Sequence, residues 1–193
     1  MKTIKILFYK AEWDGHLLDD LISLCTFPYN IGTPRYSHVE LWLPSKDGYH
    51  LVLSDNKGVI GSKYLGDCYT STMRGDLDGT VLRPASEVLT HPKRWDVSEE
   101  IEINEYQFHR LLRHIYNQVD NNKGYDKLCI SDFFNPLRWW LPLHSKLKNI
   151  CSEAVWNAVA LAKGWLNKHI LSPRRLSKRI IQRGIKIGKL VDM

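Results

Sequence analysis

The sequence predicts an α+β fold, and three observations carry that prediction. Tyr36 to Leu43 alternates apolar and polar side chains like a half-buried strand. Residues 104–120 and 150–162 place apolar side chains at helical spacing. Strand-like segments fill the first half and helices flank them, the order of a sheet with segregated helices.

Taken in chain order, residues 2–9 read as a first core strand. The run Ile4-Lys5-Ile6-Leu7-Phe8-Tyr9 is too short for a signal peptide, carries Lys5, and is followed by Lys10, Glu12 and Asp14. Residues 15–25 predict an amphipathic helix with Leu17, Leu18, Leu21, Ile22 and Leu24 on one stripe. Pro28, Gly32 and Pro34 mark a loop. In the strand 36–43, Val39, Leu41 and Leu43 face one side, and His38, Glu40 and Trp42 the other. Short strands are expected at 49–54 and 59–62, then at 68–72 and 80–83, and a single longer one at 95–103. Asn104 is the expected N-cap of a helix through Asp120. A shorter helix is expected near 126–134, and Pro136 and Pro142 bracket an aromatic loop. Asn149 is the expected cap of a helix from Ile150 to Ala162, and Ser172-Pro173 opens a last basic helix. Gly184 and Gly188 weaken any longer helix there.

The 193 residues suit one domain with a real core. No run of about 18 apolar residues offers a transmembrane helix. The four cysteines, Cys25, Cys68, Cys129 and Cys151, are widely spaced and form no C-x-x-C pair. Without an export signal they read as free thiols, and the expected compartment is the cytoplasm. The formal net charge is +6. Residues 172–193 hold seven basic residues against Asp192, so the whole excess lies there and residues 1–171 are neutral. The expected organisation is one domain over 1–171 followed by a basic helix or tail over 172–193. Arg174, Arg175, Lys178, Arg179 and Arg183 would contact an anionic surface, a membrane or a nucleic acid, or simply form the solvated face of a docked helix. Metal and nucleotide sites are not expected. The histidines are scattered, no phosphate-cradling loop occurs, and Gly75-Asp76-Leu77-Asp78-Gly79 is too short for an EF-hand. No cofactor is therefore implied.

Two residues have the chemistry of a nucleophile and its base. Cys151 falls in the first turn of the helix read over 150–162, where unpaired amides and the positive helix end favour a thiolate. It shares a helix face with Val155, Ala158 and Ala162, so a purely apolar core role is the competing reading. His38 projects from its strand opposite the apolar side chains, and an imidazole can take a thiol proton and return it to a leaving group. The two meet if the Cys151 helix covers the His38 side of the strand. Glu40 lies on the same strand face as His38, where it could hold the imidazole or remain a surface carboxylate.

Tyr36-Ser37-His38-Val39-Glu40-Leu41-Trp42, followed far downstream by Cys151-Ser152-Glu153, resembles the permuted branch of the NlpC-type papain-like superfamily. That branch includes lecithin:retinol acyltransferase-like enzymes and many small bacterial and phage proteins. Cys68 to Thr72, Val81 and Arg83, Arg94 to Val97, and Gly124-Tyr125-Asp126 resemble further segments of it, so the resemblance spans about residues 36–180. It implies a circularly permuted papain-like fold, with an antiparallel sheet packed against the cysteine helix. It also implies thiol chemistry on an amide or ester through a thioacyl intermediate, with Cys151 as nucleophile and His38 as base. The third group of the family comes from the strand after the histidine strand, where Thr70 or Ser71 stands; Glu40 and Thr70 are the leading candidates, with His50 behind them. Tyr125 matches a tyrosine that would assist the oxyanion, beside the Cys151 amide. The implied substrate is a peptide, a peptidoglycan fragment or a lipid. A hydrolase, an acyltransferase or thioesterase, and an inactive binding module on the same fold all remain open.

Overall fold

A computed structural model describes residues 1–10, 36–45, 63–72, 77–121, 124, 150–165 and 173–190. The helices read over 15–25 and 126–134, the strands at 49–54 and 59–62, the aromatic loop, and Cys25, His50, Tyr125, Cys129 and Asn149 lie outside the described residues.

The architecture is α+β, an antiparallel sheet with helices. The strands are β1 (Lys2–Lys10), β2 (Tyr36–Pro44), β3 (Gly66–Thr72), β4 (Gly79–Pro84), β5 (Trp95–Ser98), β6 (Ile101–Ile103) and β7 (Ile187–Lys189). The helices are α1 (Ala85–Val88), α2 (Glu105–Asp120), α3 (Cys151–Lys163) and α4 (Pro173–Ile181). The sheet order is β4-β3-β2-β1-β5-β7, with β6 also on β1. One sheet face carries Ile4, Ile6, Phe8, Val39, Leu41, Leu43 and Tyr69 and is covered by α2, α3 and α4. The other carries Leu7, Trp42, Cys68, Trp95 and Val97, packed with Ala85, Leu89 and Leu190. Alternation along β1 and β2 thus feeds two cores, because apolar side chains stand on both faces of these strands.

The single strand expected over 95–103 is two strands. β5 pairs with Leu7, Phe8 and Tyr9 of β1, and β6 with Lys2, Thr3 and Ile4. Opposite the break, the Ile6 amide donates to Ser98 Oγ at 2.9 Å, and Lys5 pairs with Glu100 at 3.4 Å. The serine hydroxyl replaces a missing ladder acceptor, so the buried amide of Ile6 is satisfied although the strand is interrupted. Asn104 caps α2 as expected: its side chain accepts from the Gln107 amide at 2.8 Å, and the Gln107 side chain accepts from the Asn104 amide at 3.0 Å.

The basic segment is docked. Leu176 and Ile180 are fully buried among the helices, and Gly184, with φ of 77°, turns the chain after α4. The chain then returns as β7, pairing Lys189 with Asp96 and Ile187 with Ser98. Sequence reading missed β7, whose three residues include Gly188 and show no alternating pattern.

Gly66 opens β3 with φ of 94°, and a Cβ there would overlap the Leu43 carbonyl and press on the Ser45 amide. Both obstacles are backbone and cannot rotate away. Gly66→Ala should lower unfolding free energy by roughly 1–3 kcal/mol from the dihedral alone, with the overlap adding to it. Urea denaturation measures this, and an unchanged midpoint would contradict it.

Candidate active site

The structure gathers His38, Glu40 and Thr70 and adds Arg83. His38 Nε2 lies 3.2 Å from Glu40 Oε1 and 3.4 Å from Thr70 Oγ1. Arg83 Nη2 donates to the same Glu40 oxygen at 2.9 Å, and Thr70 Oγ1 donates to the Val39 carbonyl at 2.7 Å. His38, Glu40 and Thr70 are all buried, whereas the Arg83 side chain is 31% exposed. Strand register produces this cluster. His38 and Glu40 are two residues apart on one face of β2. Leu41 pairs with Tyr69, which sets Thr70 beside Glu40. Cys68 pairs with Arg83, so the guanidinium on β4 reaches across β3 to β2.

A carboxylate only accepts hydrogen bonds, so Glu40 selects the tautomer with the proton on Nε2. The lone pair then sits on Nδ1, the nitrogen able to take a proton. This is how a buried acceptor orients a catalytic base in other triads. Both candidates for the third group therefore contact the same ring nitrogen, with Glu40 the nearer. Arg83 escaped sequence reading because its partner lies 43 residues away and two strands over.

Cys151 is the first residue of α3 and is buried as a free thiol. The cap position is Ile150, not Asn149. Ile150 is extended, and its carbonyl accepts from the amides of Glu153 and Ala154. No side chain caps the helix among the described residues. The Glu153 and Ala154 amides are thus taken by the Ile150 carbonyl, and the Cys151 amide is the donor that such a helix start would offer a developing oxyanion.

Cys151 and His38 would meet directly if α3 covered the His38 side of β2, but α3 packs on the side of Val39, Leu41 and Leu43. Among the described residues, no hydrogen bond joins Cys151 to His38. The strand is irregular at this point: Tyr9 pairs with His38 but Lys10 pairs with Tyr36, so Ser37 is an extra residue. The bulge turns the Tyr36 ring to the α3 side, 5.1 Å from Phe8, where its hydroxyl donates to Asp96 Oδ2 at 2.8 Å. Lys10 reaches Asp96 Oδ1 at 3.4 Å.

Cys68 is the other described thiol and is a poor nucleophile. Burial pushes its pKa well up, and Glu40 adds to the shift while Arg83 opposes it. Burial raises Tyr36 and Tyr69 as well, with the Asp96 hydrogen bond and charge adding at Tyr36. Raised values mean that the native state keeps protons which the unfolded chain releases. Stability from these groups is complete below their unfolded values and falls as pH rises past about 8.5 for the thiol and about 10 for the phenols. Denaturation midpoints should drop with pH in that window, with a shallower drop in Tyr36→Phe. An identical slope in the variant would contradict the assignment.

Among the described residues no group of three or more His, Cys, Asp or Glu is placed to hold a metal ion, and no helix is long and apolar enough to cross a membrane. No family model, no curated protein and no solved structure matches the chain.

Proposed function

We propose that the protein is a thiol-dependent hydrolase of amides or esters on a permuted papain-like fold, with Cys151 as nucleophile and His38 as base. The observation that carries this reading is the buried Glu40–His38 contact, which leaves the basic lone pair on Nδ1. Helix placement supports it. Lys163, the last residue of α3, donates to the Glu102 carbonyl, and Glu102 pairs with Thr3. The twelve steps back to Cys151 cover about 18 Å, and the six from Thr3 to Tyr9 cover about 20 Å. A helix that runs back along β1 from that anchor would start at the end where Tyr9 pairs with His38. In this reading sulfur and imidazole meet around the bulged start of β2 rather than through the sheet.

The thiol proton passes to His38 Nδ1, and the sulfur adds to the carbonyl, whose oxygen is held by the Cys151 amide at the start of α3. The amine or alcohol leaves with the proton from His38, and water cleaves the thioester. An alcohol or amine in place of water makes the same site an acyltransferase. Tyr125 assists the oxyanion in this reading.

An activated ester tests it. One acyl group should accumulate on Cys151 and be released by hydroxylamine; acylation spread evenly over the cysteines would overturn the proposal. A binding module is the second reading. It is favoured by α3 packing on the face opposite His38.

The basic segment supplies a contact for anions in either reading, through Arg175, Lys178, Arg179 and Arg183. Leu176 and Ile180 of α4 are buried in the core, while Ile181 is 56% exposed. That favours a polyanion held by charge over insertion into a bilayer.

A further inference from the structure

We propose that Arg83 is a positioning residue of the His38 relay: by neutralising Glu40, it keeps His38 an uncharged base at neutral pH. The inference rests on His38 acting as the base for Cys151. Its geometric basis is that one oxygen, Glu40 Oε1, serves both Arg83 Nη2 at 2.9 Å and His38 Nε2 at 3.2 Å.

A buried carboxylate beside an imidazole, with no further charge, attracts a proton to the pair. An imidazolium–carboxylate pair is neutral overall, while an imidazole beside a bare carboxylate leaves one negative charge out of water. The imidazole would then be protonated and unable to act as a base. A guanidinium on the same oxygen removes that demand. It cancels the carboxylate charge and repels a positive charge on the ring, while leaving the carboxylate able to accept from Nε2–H. Arginine suits this task because it cannot surrender its proton.

The groups facing the pair bear this out. Glu40 stands on the same strand, and Tyr9 of β1 lies opposite His38 with the Arg94 guanidinium over its ring at 4.5 Å. From β3 come Thr70, a hydroxyl, and Cys68, whose thiol is kept protonated by burial, with Asp67 acting on Cys68. From β4 comes Arg83. Arg83 brings a cation into contact with Glu40. Cys68 is small enough for the guanidinium to pass over β3.

Nitrogen-15 NMR of the His38 ring across pH, in the full chain, tests this directly. Wild type should show a neutral ring with the proton on Nε2 at neutral pH. Arg83→Met should raise the midpoint of proton uptake by about one pH unit or more, the scale of one adjacent charge. Arg83→Lys should restore the wild-type midpoint, which a purely structural role would not require. An unmoved midpoint in a folded R83M variant overturns the proposal. If R83M does not fold, the wild-type spectrum decides, because an imidazolium at neutral pH overturns it equally. Alkylation of Cys151 in the same samples separates the two levels. A shifted His38 beside an unreactive Cys151 keeps the relay and removes the hydrolase. A reactive Cys151 beside an unmoved His38 removes only the role of Arg83.

Discussion

His38→Ala should slow acylation of Cys151 by roughly 10²- to 10⁴-fold, the usual contribution of a positioned acid–base group. The loss follows from removing an imidazole whose tautomer is set by a buried carboxylate. Cys68 serves as an internal control. It is fully buried and its thiol is held protonated, so it should stay unlabelled in both proteins while the fold persists. Peptide mass spectrometry at each cysteine reads both quantities together. Slower labelling at Cys151 with Cys68 still protected assigns the loss to chemistry. Labelling of Cys68 as well would instead report unfolding. Equal Cys151 rates in the two proteins would remove His38 from the mechanism.

Trp156→Ala should carry the largest stability cost, about 3–5 kcal/mol, as for other buried tryptophans cut to alanine. Trp156 is 1% exposed and is the largest fully buried side chain described. Its ring stacks on Trp165 at 5.7 Å and 28°, and the Arg183 guanidinium lies 4.0 Å from the Trp165 ring and 5.5 Å from the Trp156 ring. The residue therefore holds three things together: the core face of α3, the segment that follows α3, and the turn that leads from α4 into β7. Its loss opens a cavity between helix and sheet and removes the platform for Arg183. Chemical denaturation should show the drop, and Trp156→Phe should recover part of it. A cost below about 1 kcal/mol would mean that the tryptophan pair does not anchor the C-terminal segment.

The elements legible in the sequence were those with a strong local signal. The alternation of Tyr36 to Leu43 gave β2, and the Asn104–Gln107 pair with helical spacing gave α2. Strands at 68–72 and 80–83 were placed within one or two residues. Features set by distant contacts were not legible. The split between β5 and β6 depends on the Ser98 hydroxyl reaching the Ile6 amide, 92 residues away. β7 is a strand only because β5 offers it an edge. The extra residue at Ser37 leaves no trace in the composition of β2.

The candidate site divides in the same way. His38 with Glu40 and Cys151 at a helix start could be read locally, since each depends on a two-residue spacing or a helix boundary. Arg83 could not, because only the register of three strands brings it to Glu40. Which side of β2 the Cys151 helix covers was equally beyond local reading. Apolar side chains occur on both faces of the strand, and Val39, Leu41 and Leu43 won the helix.

Whether sulfur and imidazole meet around the start of β2 is the central question, and a short bifunctional haloketone answers it most directly. Such a reagent alkylates a thiol first and then an imidazole within its own length. The expected product, after digestion, is a single species joining the Cys151 peptide to the His38 peptide, absent in His38→Ala. Alkylation of Cys151 with no bridge, or a bridge to another residue, would contradict the pairing.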